Sequence, residues 1–117
     1  MTGQESIPII EYGVSANPLA TFISVVAVGP IVEEILFRGL IYGALEGRLG
    51  VAGSIFVTSV MFALVHLQVL HFIPIFLVGV VLGWARWKTG SLGLPMLVHV
   101  LNNGFALLLL RFFERGA

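Results

Sequence analysis

Three ionisable residues, Glu33, Glu34 and Arg38, stand inside an apolar stretch that reads Gly-Pro-Ile-Val-Glu-Glu-Ile-Leu-Phe-Arg-Gly. A charged side chain at the centre of a bilayer costs about 2.5–3.5 kcal/mol on insertion scales, so such residues usually serve a function. Glu34 and Arg38 are four positions apart, acid first, and can neutralise each other on one helix face. Glu33 points about 100° away. It is therefore the carboxylate left free for general-base chemistry, although structural or proton-carrying roles are alternatives.

Two further pairs of residues stand at the same spacing of four. Phe62 and His66 share a face of a second apolar segment, and His99 and Asn103 share a face of the last one. Singly, His66 is explained as an interfacial imidazole and Asn103 as an interhelical hydrogen bond. Together with Glu33, the two His and the Asn form a set that can activate water and hold an oxyanion.

Two neighbouring polar residues are not expected to take part in catalysis. His71 lies near a turn and is interpreted as interfacial. Asn102 points about 100° away from Asn103 around the helix. Asn102 is therefore the one expected to form an interhelical hydrogen bond.

The elements that must position these residues are membrane helices. The 117 residues are 58% hydrophobic and 10% charged, with a mean hydropathy of +1.05. The prediction is an all-α, polytopic transmembrane bundle of about four to five spans, at about 20 residues each, with a buried polar cavity. A formal net charge of zero gives no nucleic-acid footprint, and the absence of cysteine excludes thiol catalysis.

Four apolar segments are predicted, over residues 18–46, 51–67, 70–87 and 92–113. Residues 1–17 are expected to be an extramembrane lead-in, residues 18–113 the transmembrane core and residues 114–117 a short tail. The first segment would be about 43 Å long as a helix, which exceeds a hydrocarbon core of about 30 Å. It must therefore tilt, kink or break, with Pro30 as the natural kink and Gly39 as a second weak point.

Glycines and aromatic residues suggest how the helices pack. Gly39, Gly43 and Gly47 are spaced by four, as are Gly79 and Gly83. Small residues at this spacing let helices approach closely, within the chain or, as an alternative, in an oligomer. Interfacial anchoring is the predicted role of the cluster at the end of the third segment, which comprises Trp84, Arg86, Trp87 and Lys88.

A simple hairpin arrangement does not bring the polar residues together. His66 would lie near one membrane face and His99 towards the other end of its own helix. We therefore expect the Pro30 kink and a water-filled cavity to let them meet.

The three motifs resemble those of the CPBP family of intramembrane proteases, also called the CAAX-protease and bacteriocin-processing or Abi family. That family is marked by E-E-x-x-x-R, then F-x-x-x-H, then H-x-x-x-N or a similar last residue. This chain has all three in order, as Glu33-Glu34-x-x-x-Arg38, Phe62-x-x-x-His66 and His99-x-x-x-Asn103. The resemblance covers residues 18–108, and members of the family are usually longer.

The resemblance implies an intramembrane endopeptidase similar to CAAX prenyl proteases, in a prokaryotic plasma membrane. Glu33 and His66 would activate the hydrolytic water, and His99 and Asn103 would stabilise the oxyanion. Glu34, Arg38 and Phe62 would support the site. The implied substrate is a peptide or a lipidated protein, and some family members are tied to bacteriocin maturation or self-immunity.

The residues leave the metal question open. Glu33, His66 and His99 could bind zinc with an open fourth position. The zincin motif is absent, and Glu34 is expected to be occupied by Arg38, which leaves no carboxylate to orient a zinc-bound imidazole. A metal-free glutamate mechanism is therefore preferred over the metalloprotease alternative.

Other functions make different demands on the sequence. An aspartyl intramembrane protease needs two Asp, and the chain has none. A proton-coupled transporter would normally show repeated halves, which are not found. A non-catalytic immunity or assembly factor with the same fold is the remaining alternative.

Overall fold

The computed structural model describes residues 17–116, which form helices joined by short turns. In chain order these are α1 (Pro18–Ile23), a first π-helical segment (Ser24–Val28), α2 (Gly29–Glu34), a second π-helical segment (Ile35–Ile41), α3 (Tyr42–Val65), a 3-10 turn (Val69–His71), α4 (Phe72–Thr89) and α5 (Gly93–Gly116). Residues 17–116 contain no strand, which confirms the all-α fold class. The predicted lead-in lies outside the described residues except for Asn17, and α5 continues past the predicted core boundary at residue 113.

Three helices are long and apolar enough to cross a membrane: Pro18–Val65, Val69–Thr89 and Gly93–Gly116. Many of their large hydrophobic side chains are exposed, Leu40 and Leu101 among them. Such a surface suits lipid rather than water, and helices satisfy their own backbone hydrogen bonds there. The chain is an integral membrane protein.

The first and longest of these helices folds back on itself at Gly50. Gly50 has φ 70° and ψ −180°, a conformation that is essentially confined to glycine. Phe37 and Phe62, on either side of it, have ring centroids 5.5 Å apart, whereas a straight helix would separate them by about 37 Å. The break predicted at residues 47–50 is thereby confirmed. Residues 51–65 form a second arm that packs against the first.

The first π-helical segment ends just before Pro30. The N–H of Gly29 bonds the carbonyl of Ser24, five residues back. The next carbonyl, that of Val25, would need the N–H of residue 30, and proline has none. The departure from α-helical geometry predicted at Pro30 therefore takes the form of a widened turn.

The second π-helical segment contains Gly39, the other predicted weak point. The N–H of Tyr42 bonds the carbonyl of Phe37, five residues back, instead of the carbonyl of Arg38 four residues back. The two π-helical segments thus flank the pair of glutamates, one on each side.

Close packing of α4 against residues 51–65 depends on two glycines. A Cβ added at Gly79 would lie 3.2 Å from the Cα of Ser59, and one at Gly83 would lie 3.1 Å from the side chain of Ile55. These glycines therefore pack within the chain, as predicted. Among the described residues, nothing lies within 4 Å of a Cβ added at Gly43 or Gly47, so their spacing stays unexplained by packing.

The end of α4 fits the predicted interfacial anchor in part. Trp84 and Trp87 are about half exposed, and the Nζ of Lys88 lies 5.9 Å from the centre of the Trp87 ring. Arg86 behaves differently, because its side chain turns inward and its Nε donates to the backbone carbonyl of Arg38.

Candidate active site

Phe62 lies at the centre of the candidate site and is almost fully buried. The ring of His66 packs edge-on against it at 4.8 Å between centroids, and that of His99 at 5.6 Å. The guanidinium carbon of Arg38 lies 4.5 Å from the centre of the same ring. One phenyl ring therefore holds residues from the first arm, the second arm and α5 together.

Glu34 and Arg38 form the ion pair that their spacing predicts. Both side chains are completely buried, and the Nη1 of Arg38 lies 3.1 Å from the Oε2 of Glu34. The Nη2 of Arg38 also donates to the carbonyl of Gly79, at 2.9 Å. That carbonyl belongs to α4, so the ion pair ties the first arm to a second helix.

His99 lies between the two glutamates, with one ring nitrogen towards each. Its Nδ1 is 2.7 Å from the Oε2 of Glu34, and its Nε2 is 3.5 Å from the Oε2 of Glu33. Glu34 therefore does orient an imidazole, and the expectation that its pairing with Arg38 leaves no carboxylate for that role is wrong. One carboxylate oxygen accepts from both the guanidinium and the imidazole, because an ionised carboxylate oxygen has more than one lone pair.

Burial separates the two glutamates. The side chain of Glu34 is 0% exposed and that of Glu33 is 37% exposed. Glu33 faces the cavity described below, where a reactant could approach it. This difference agrees with the division into a structural and a free carboxylate that helical spacing predicted.

His66 ends the second arm and is oriented by its own helix. Its Nδ1 lies 2.6 Å from the carbonyl of Phe62. A carbonyl only accepts, so Nδ1 carries the hydrogen and Nε2 is left with a lone pair in the neutral ring. The spacing of four between Phe62 and His66 thus fixes both the packing and the tautomer of the imidazole.

A cavity of about 700 Å³ lies between the helices, open on one side. Glu33, His66, His99 and Asn103 all contribute to its wall, so the structure brings together the four residues that the sequence singled out. A cavity is present as predicted, but it is open to one side and is polar only at these residues and a few neighbours. Its remaining wall is largely apolar and includes Val25, Ile75, Val78, Ala106, Leu107 and Leu110.

Three further polar residues line the cavity and were not singled out as site residues: Gln68, His71 and Asn102. His71 is exposed and also forms part of the cavity wall, and its interfacial position stays a prediction. Gln68 and His71 belong to the turn between the second arm and α4. No periodic signal marks residues in such a turn, which is why the sequence did not reveal them.

Asn103 forms the interhelical hydrogen bond that was expected of Asn102. Its Nδ2 donates to the carbonyl of Val25 at 3.0 Å. That carbonyl lies in the first π-helical segment and has no donor at position 30, because proline has no N–H. Asn103 therefore satisfies a backbone group in the first arm, and its second amide hydrogen is left for the cavity.

A zinc site requires at least three ligands that converge on one point. No group of three His, Asp or Glu side chains within residues 17–116 is close enough to hold a metal ion. The three predicted ligands therefore form no preassembled zinc site among the described residues, and the preference for a metal-free mechanism stays a prediction.

The fold and the site together define a class, a helical membrane protein in which acid and imidazole side chains face a largely apolar cavity. The family model described as type II CAAX prenyl endopeptidase Rce1-like matches residues 15–105. The chain belongs to this family, which confirms the resemblance drawn from its three motifs.

Curated bacterial relatives agree with this assignment. The membrane-embedded CAAX protease MroQ of Staphylococcus aureus is 37% identical over 94 residues, covering 74% of this chain and 37% of MroQ. YdiL of Bacillus subtilis, whose name marks it as a candidate membrane peptidase, is 30% identical over 96 residues, covering 82% of this chain and 39% of YdiL. An uncharacterised 24.3 kDa protein of Escherichia coli is 32% identical over 91 residues, covering 70% of this chain and 40% of that protein. The chain thus spans about two-fifths of the length of these relatives, and no solved structure matches it.

Proposed function

We propose that this chain carries the active site of a membrane-embedded endopeptidase that hydrolyses a peptide bond at the wall of its cavity. The observation that supports this most directly is the meeting of Glu33, His66, His99 and Asn103 around one cavity. The family assignment points the same way, as does the similarity to the CAAX protease MroQ.

Water activation falls to Glu33 and His66 in this proposal. Both line the cavity, and each has an acceptor available there: the partly exposed carboxylate of Glu33 and the Nε2 of His66. Glu33 takes a proton from the water, whose oxygen adds to the carbonyl carbon of the substrate. When the C–N bond breaks, the same proton passes to the leaving amine, so the base is restored.

Oxyanion stabilisation falls to Asn103 and to His99, whose Nε2 is no longer held by Glu33 once that carboxylate has taken the proton of the water. The oxygen of the substrate carbonyl gains a negative charge when water adds, and preorganised donors stabilise that charge. The second amide hydrogen of Asn103 is one such donor. Glu34 holds the ring of His99 in place through Nδ1, and the carbonyl of Val25 holds the Asn103 amide.

The substrate class follows from the rest of the cavity wall. Ala106, Leu107 and Leu110 extend it along α5 beyond the polar residues. An acyl or prenyl chain, or an apolar side chain, would be solvated there while the adjacent peptide bond lay at Glu33. A lipid-modified or strongly apolar peptide is therefore the proposed substrate.

A metal-free mechanism is the preferred form of this proposal. Its support is that no three His, Asp or Glu side chains of the described residues converge as a zinc site requires. Hydrolysis by the purified protein is expected to continue in the presence of a zinc chelator. Activity abolished by the chelator and restored by added zinc would contradict this preference.

The decisive variant is Glu33→Gln, which keeps the shape of the side chain and removes its basicity. Purified wild-type protein and the variant are assayed on lipidated and transmembrane peptides. Glu33→Gln is expected to lower kcat by about 10²–10⁴-fold, the usual contribution of a general base. Glu114→Gln, an exposed change near the end of α5, is the matched control. Full activity of Glu33→Gln would refute the assignment.

A further inference from the structure

Arg86 makes a contact that its place at the end of a membrane helix does not require. It lies in the last turn of α4, where arginines commonly serve as interfacial anchors. Its side chain is only partly exposed, and its Nε donates to the backbone carbonyl of Arg38 at 3.2 Å. Its guanidinium carbon lies 5.5 Å from the centre of the buried Tyr42 ring.

The carbonyl that Arg86 occupies is the one that the second π-helical segment releases. In an α-helix the N–H of Tyr42 would bond the carbonyl of Arg38, but here it bonds that of Phe37. Arg86 donates to the Arg38 carbonyl. Without this donor, that carbonyl would be free to accept the N–H of Tyr42, which would restore the α-helical hydrogen bond. Arg86 therefore favours the π-helical form.

Helical register at this point decides where the glutamates face. A π-helical hydrogen bond spans one residue more than an α-helical one, and one residue corresponds to a rotation of about 100°. Return to α-helical register would rotate α2 relative to the rest of the bundle. Glu33 and Glu34 could then no longer reach the two nitrogens of His99 together.

Helix α4 holds Arg38 at two places. The carbonyl of Gly79 accepts from the Arg38 side chain, and Arg86, two turns further on, donates to the Arg38 backbone. Two contacts separated by about 10 Å along one helix fix the first arm relative to α4, both in rotation about its axis and in position along it. A single contact would leave the rotation free.

We propose that Arg86 is a positioning residue, which locks the second π-helical segment and thereby aligns Glu33 and Glu34 with His99. This proposal rests on the proposed function for its effect on catalysis. Its structural half stands independently, because the position of His99 can be observed without a substrate.

The test compares Arg86→Met with Lys88→Met. Both changes remove one positive charge from the same helix end, but Lys88 contacts only the Trp87 ring among the interactions of the described residues. Arg86→Met is expected to lower kcat by about 10-fold or more with KM changed less than about 2-fold, since a misplacement of 1 Å can cost about 10²-fold. Arg86→Lys, which keeps a donor, is expected to recover most of this loss, and Lys88→Met to resemble wild type.

The second readout is the imidazole of His99, followed by nitrogen NMR of histidine-labelled protein in detergent. The chain has three histidines, so His99→Gln assigns the signal. Arg86→Met is expected to shift the Nδ1–H signal that arises from the 2.7 Å contact with Glu34, whereas Lys88→Met leaves it unchanged. If Arg86→Met does not fold, Arg86→Gln takes its place in both measurements.

The outcomes separate the two proposals. A shifted His99 signal in a protein whose wild type cleaves no peptide supports the positioning role and counts against the proposed function. An active wild type in which Arg86→Met matches Lys88→Met, in kcat and in the His99 signal, overturns the positioning role. A loss of kcat that only follows a loss of folded protein overturns it as well.

Discussion

Replacement of Gly79 by alanine tests whether the contact between α4 and the first arm supports the site. The added Cβ would lie 3.2 Å from the Nη2 of Arg38 and 3.2 Å from the Cα and Cβ of Ser59. Carbon atoms prefer separations of about 3.5–4.0 Å, so α4 and the second arm must move apart by about 0.3–0.8 Å. Ser59 offers little relief, because one of its two nearest atoms is its backbone Cα.

The same movement acts on the site. The carbonyl of Gly79 accepts from the Nη2 of Arg38 at 2.9 Å, and a displacement of that size stretches or breaks this hydrogen bond. Overpacking costs about 1–3 kcal/mol. We therefore expect Gly79→Ala to lower the free energy of unfolding by about that amount, and to lower kcat by up to about 10²-fold through misplacement of Arg38 and Glu34.

Gly83→Ala is the matched control. Its Cβ would lie 3.1 Å from the side chain of Ile55 and touches no residue of the site. Both variants are compared with wild type by peptide hydrolysis and by the fraction that stays folded on heating in detergent. Gly83→Ala should lose stability but keep kcat. Equal losses of kcat in both variants, or none in Gly79→Ala, would refute the reasoning.

Two further predictions concern Asn103 and Gly50. Asn103→Ala removes the hydrogen bond to the Val25 carbonyl and should cost about 0.6–1.7 kcal/mol of stability in the membrane. Because the amide is proposed to bind the oxyanion, kcat should also fall by about 10²–10³-fold. An unchanged kcat would mean that Asn103 has a structural role only. Gly50→Ala meets no atom within 4 Å but retains φ 70°, so it should destabilise the fold by about 1–3 kcal/mol. Gly47→Ala, on the helix and equally free of neighbours, should stabilise it by about 0.4–1 kcal/mol; equal melting of the two glycine variants would contradict the strain assigned to Gly50.

Much of the site could be predicted because helical spacing is local. Residues four apart share a face whatever the tertiary fold, so the Glu34–Arg38 pair and the Phe62–His66 contact follow from the sequence. The apolar composition predicted the membrane helices for the same reason, since each span must satisfy its own backbone.

The contacts between helices could not be predicted in the same way. Helical spacing says that Asn102 and Asn103 face different directions, but not which of them meets the carbonyl freed near Pro30. It likewise cannot place Arg86 on the Arg38 carbonyl, because that contact depends on a π-helical segment and on the rotation of α4. In both cases the missed contact is made to a backbone carbonyl, that of Val25 or that of Arg38, which has lost its hydrogen-bond donor within the helix.

Those freed carbonyls explain why polar residues organise this bundle. Lipid supplies no hydrophobic force between membrane helices, so close packing and interhelical hydrogen bonds must hold them together. Asn103 of α5 bonds the carbonyl of Val25, and Arg86 of α4 bonds that of Arg38. Each bond ties a different helix to the first arm, one on each side of the glutamates. The irregular backbone around Glu33 and Glu34 therefore serves as the attachment point of the other helices, and a change that restored regular helix there would release the bundle and the site together.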